Sequence, residues 1–91
     1  MRPEVLAQLA RMLGDDALRS ASDDTVRAAG EARFDALAAA LTAETMASDD
    51  VTDAASAMRY AEARLEALSS ILGAPLCDRL RDDIKARVNR W

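Results

Sequence analysis

The chain has 91 residues, with sixteen acidic and twelve basic side chains, no histidine and a single cysteine, for a formal charge of −4. This size supports one helical domain over 1–91 with a modest stability margin and excludes two independent cores. The charge disfavours non-specific attraction to nucleic acid or anionic lipid. One thiol rules out an internal disulfide, and the lack of histidine removes the commonest metal-ligating and proton-transfer residue.

Alanine supplies 21 of the 46 apolar residues and aromatics only three, while Gly, Pro, Val and Ile are sparse. That composition favours helix over strand and makes each leucine important, because alanine buries little area. Eleven of the twelve basic residues are arginine, which with so much alanine suggests a GC-rich bacterial genome. The beginning Met1-Arg2-Pro3-Glu4 lacks the apolar run of a signal peptide, so a cytoplasmic location and no membrane partner are expected.

Taken in chain order, Pro3 suits a first helical turn. Val5, Leu6, Leu9, Met12 and Leu13 then form one apolar side, which Gly14 ends. Asp15 to Asp24 reads as a connector whose single turn places Leu18 against the body. A long second helix is expected from Val26 to about Met46, with Val26, Gly30, Phe34, Leu37 and Leu41 on one side. Beside them runs a stripe of Ala29, Arg33, Ala36, Ala40, Ala43 and Ala47. Gly30 costs a helix roughly 0.5 to 1 kcal/mol relative to alanine, so it implies a close helix contact or a slight bend.

Ser48, Asp49 and Asp50 are expected to turn the chain and cap a long third helix. Its seam is Val51, Ala54, Met58, Ala61, Leu65, Leu68 and Leu72. Two such helices joined by a brief turn pack antiparallel. Gly73-Ala74-Pro75 ends that helix and starts the last one, whose apolar side is Leu76, Cys77, Leu80, Ile84, Val88 and Trp91. The expected fold is therefore all-α: a bundle of four helices with a short first helix, two long central antiparallel helices and a C-terminal helix.

Each candidate chemistry has a structural counterpart. Asp49, Asp50 and Asp53 have the spacing to face Mg²⁺ in a small metal-dependent enzyme, but helix capping accounts for all three. Glu31, Asp35, Glu62 and Glu66 form two pairs one turn apart, off the apolar stripes and without a histidine. Cys77 lies on an apolar side, and Ser20, Ser22, Ser69 and Ser70 have no catalytic companion. Arg79, Arg81, Lys85, Arg87 and Arg90 make the last helix basic enough for a DNA-binding regulator, although Asp78, Asp82 and Asp83 interrupt the patch.

The preferred reading is a non-catalytic, cofactor-free protein-protein interaction module, such as a small bacterial regulator, adaptor or assembly protein. No catalytic, cofactor or metal residue is assigned. The expected partner is another protein, including one with an acidic surface or a second copy in a homodimer. Tyr60, Arg79, Arg87, Val88 and Trp91 are the candidate partner-binding residues, since aromatic and arginine side chains anchor interfaces.

Overall fold

The computed structural model describes residues 2–90. Helix α1, Arg2–Leu13, ends where Gly14 takes a positive φ of 67°. There the Gly14 amide donates to Arg11 O and the Asp15 amide to Ala10 O, which satisfies the last carbonyls of the helix. The Asp15 side chain then accepts from the Ala17 amide and starts a 3₁₀ turn, Asp16–Ser20, which buries Leu18 as the sequence predicts. Ser22 caps α2, Asp23–Ala32, by accepting from the Thr25 amide.

The expected second helix is not continuous. It breaks at Arg33 (φ −115°, ψ 40°) into α2 and α3, Phe34–Ala47, so the described residues form five α-helices in a compact bundle rather than four. The apolar register of the sequence runs straight through this point. Long-range contacts decide the matter: the Arg33 guanidinium donates to Leu13 O at 2.8 Å and lies 4.0 Å from the Asp15 carboxylate. Helix α2 rests mainly on α4, whereas α3 turns to lie against α5, α1 and α4.

Gly30 sits before the bend, in a close helix contact. A Cβ there would lie 3.2 Å from a Leu76 methyl and 3.4 Å from methyls of Leu37 and Leu72. The bend itself comes three residues later.

Helix α4, Ala54–Leu72, begins later than the sequence predicts. Asp53, rather than Asp49 or Asp50, is the cap: its carboxylate accepts from the Ser56 amide at 2.8 Å, and the Ser56 hydroxyl accepts from the amides of Thr52 and Asp53. This reciprocal arrangement satisfies the first amides of the helix. Val51 therefore packs on the core from the connector, and Ala54 at the helix start is exposed. The seam holds from Ala61 through Leu65 and Leu68 to Leu72, all buried.

Gly73, with φ 86°, joins α4 to α5, Ala74–Val88, and Pro75 occupies the first turn of α5. The α4–α5 pair makes the most extensive helix contact, while both α2 and α3, the two parts of the expected second helix, also pack on α4. Arg27 reaches across from α2 to donate to Leu72 O at 3.0 Å and Ile71 O at 3.1 Å, capping the end of α4. The core lies between all five helices, with Leu9, Leu37, Leu41, Leu68, Leu72, Leu80 and Ile84 fully enclosed.

Candidate partner-binding surface

Helix α3 has an unusual exterior. Leu37, Ala38, Leu41 and Thr45 face the core, and the buried Thr45 hydroxyl is satisfied by Leu41 O. The opposite side carries Ala36, Ala39, Ala43 and Ala47, all exposed, with Ala40 half-buried beside them. Asp35 and Glu44 are the only charged residues among the fourteen of this helix, and Glu44 is engaged by α4. Ala36, Ala39, Ala43 and Ala47 therefore lie outside the chain's own packing, whereas Ala29 of the sequence-predicted stripe packs on the core. By contrast, the exposed sides of α4 and α5 carry Arg59, Glu62, Glu66, Asp78, Arg81, Asp82 and Lys85. A face of methyl groups has little relief and no side-chain entropy to lose, so a helix can approach it closely.

Two of the sequence-predicted residues flank α3. Tyr60 on α4 is half-buried, and its hydroxyl donates to a Glu44 carboxylate oxygen at 3.5 Å. Arg64 Nε donates to that same oxygen at 2.8 Å, and its guanidinium also bonds the Gln8 side chain, so α1, α3 and α4 are tied together. Burial, followed by the Glu44 charge, raises the Tyr60 pKa above its ordinary value. At the other end of α3, the Arg79 guanidinium lies 4.6 Å from the Phe34 ring centre, a cation–π contact. Phe34 and Arg79 line an open cleft with Asp82, Asp83 and Ala86.

Arg87 donates to Asp83 at 2.7 Å, and Val88 is enclosed in the core at 1% exposure. Trp91 lies outside the described residues. Arg87 and Asp83 thus form an ion pair on α5, Arg79 lies against Phe34, and Tyr60 belongs to a separate network. Arg81, another member of the basic helix, bridges Asp78 at 3.9 Å and Asp82 at 3.8 Å.

Of the candidate carboxylates, Asp53 has a structural role. Asp53 caps α4, and its pKa is lowered chiefly by the hydrogen bond from the Ser56 amide. Glu31 lines a cleft with Arg27, Gly73, Pro75 and Arg79, while Glu62 and Glu66 line another with Cys77, Asp78 and Arg81. Among the described residues, no three or more cysteine, aspartate or glutamate side chains are grouped to hold a metal ion. Cys77 is 7% exposed, its sulfur is 3.6 Å from Leu65 O, and burial pushes its thiol pKa up, away from the reactive thiolate. Ser22 serves as a cap, and Ser69 donates back to Glu66 O.

Among the described residues, no helix is long and apolar enough to cross a membrane, and no buried side-chain nitrogen or oxygen lacks a hydrogen-bond partner. No protein-family model, curated protein or solved structure matches the chain.

Proposed function

We propose that this chain is a non-catalytic interaction module that receives a helix of a partner protein on the outer face of α3. The observation that carries the reading is the exposure of Ala36, Ala39, Ala43 and Ala47 on one helix side with no charge among them. Scattered exposed alanines need no explanation, but these four follow helical spacing along one element and leave a continuous smooth strip. Tyr60 and Arg79 are held against α3 by Glu44 and Phe34, away from the alanines, and would be reached by a partner that extends past the strip. Arginine and tyrosine suit that place because they combine apolar contact with a polar end. Arg79 would offer an acidic group of the partner a charge-assisted contact, with Asp82 and Asp83 sharing its cleft.

The reading assigns no bond-making step to the chain. Binding would work by shape and by the area covered, with a regulator, adaptor or assembly role following from what is bound. The test is purification of tagged protein from the source cell, comparing the natural chain with Ala43→Arg. Position 43 is exposed, so the replacement leaves the fold intact while placing a long charged side chain in the strip. A partner retained by the natural chain and lost with Ala43→Arg is expected; identical recovery with both rejects the docking face.

A further inference from the structure

The bend at Arg33 joins two segments that are covalently linked at one point and otherwise meet through side chains. Residues 2–32 hold α1, the 3₁₀ turn and α2; residues 34–88 hold α3, α4 and α5. The segments pack through α1 against α3 and α2 against α4, with Gln8 bonded to Arg64 and Arg27 to Leu72 O. Few contacts join α2 to α3 beside the bend itself.

The hydrogen-bond ladder nearly crosses the bend. The Arg33 amide donates to Ala29 O at 2.9 Å and the Leu37 amide to Arg33 O at 3.0 Å, both in helical register. At the bend, no acceptor among the described residues is found for the amides of Phe34, Asp35 and Ala36, and α3 has no side-chain cap. No glycine or proline stands between Glu31 and Ala36. Val26, Gly30, Phe34, Leu37 and Leu41 keep one helical side across the break.

We infer that Arg33 is the hinge of a domain exchange in which two copies of this chain trade their 2–32 segments. The five-helix arrangement is that of the closed single chain. In the exchanged pair each copy extends through the hinge, every packed interface between the two segments re-forms with the partner copy, and the three amides of each hinge gain helical acceptors. Opening therefore sacrifices only the contacts local to the bend, the condition under which exchange is favoured at high concentration. The inference is independent of the α3 docking face, which points outward in both forms.

Unfolding the protein and refolding it at high concentration, with mass measured by light scattering, tests the exchange. A dimer that reverts slowly on dilution is expected. Asp35→Pro should lower its fraction by roughly tenfold or more, since proline is tolerated in the first turn of α3 but not inside a helix running through the hinge. Ala43→Arg should leave it unchanged. As a second readout, a Gln8→Cys chain and an Arg64→Cys chain, each also carrying Cys77→Ala, are refolded together and treated with a short bis-maleimide. The exchanged pair gives a covalent heterodimer, whereas the same chains folded separately and then mixed dilute do not. Monomer alone in the natural chain, a dimer insensitive to Asp35→Pro or abolished by Ala43→Arg, or no linkage between co-refolded chains would each overturn the proposal. The linkage measurement decides even if the Asp35→Pro chain fails to fold.

Discussion

The Arg33 guanidinium donates to the main-chain carbonyl of Leu13 at 2.8 Å, so the bend between α2 and α3 is fastened to the end of α1. One side chain thereby satisfies a helix-terminal carbonyl and stands beside the Asp15 carboxylate. With its side chain 46% exposed, solvent screens much of the charge interaction. Arg33→Ala should lower unfolding free energy by about 1 kcal/mol, read from the urea midpoint at unchanged slope. A variant as stable as the natural chain would deny the fastening role.

Gly30 is constrained by space. Methyls of Leu37, Leu72 and Leu76 converge on the position a Cβ would take, and all three leucines are core residues. Gly30→Val adds a β-branched side chain at that crossing and should destabilise the fold by about 2–3 kcal/mol, despite removing a helical glycine. Thermal or urea unfolding measures this directly, and a neutral result would mean that α2 can move away from α4 and α5.

The Asp53 cap predicts a pH dependence with a definite sign. Its pKa is lowered from 3.8 by the Ser56 amide, so the folded state binds its proton less readily than the unfolded chain. The capping contribution is present above the unfolded value and is lost as pH falls through the lowered folded value. Comparing the natural chain with Asp53→Ala across acid pH should show a gap in melting temperature at neutrality that closes below the ordinary carboxylate range. A gap of constant size would place the effect of the substitution elsewhere.

Cys77 should react slowly. Burial and the neighbouring Asp78 charge both oppose the thiolate, so alkylation of the native protein at neutral pH should lag far behind that of the urea-unfolded chain. Equal rates would show that α5 separates readily from α4.

The features legible in the sequence are those set by neighbours a few residues apart. Gly14, the Leu18 turn, the Gly73-Ala74-Pro75 junction and the leucine seam of α4 fall as expected because capping and helical periodicity are local. The bend at Arg33 is not local: nothing between Glu31 and Ala36 breaks a helix, and the Leu13 carbonyl that holds Arg33 lies twenty residues earlier. The start of α4 was ambiguous for a different reason. Asp49, Asp50 and Asp53 are all competent caps, and Ser56 selects Asp53 by answering it reciprocally.

The candidate surface shows the same division. Spacing brought Ala36, Ala40, Ala43 and Ala47 to one side of a helix, but whether another helix covers them depends on where the bend sends α3. The networks of Glu44 with Arg64 and Gln8, and of Arg27 with the end of α4, leave no periodic signal. They join residues far apart in the chain.

We propose that the alanine side of α3 docks a partner protein. Photo-crosslinking in the source cell tests it most directly, with a benzophenone amino acid placed at Ala39 or Ala43 and, as controls, at the exposed Ala17 and Ala63 on other elements. Docking there gives a discrete protein adduct from positions 39 and 43 that is absent from 17 and 63. The same adducts from all four positions, or none from α3, would contradict it.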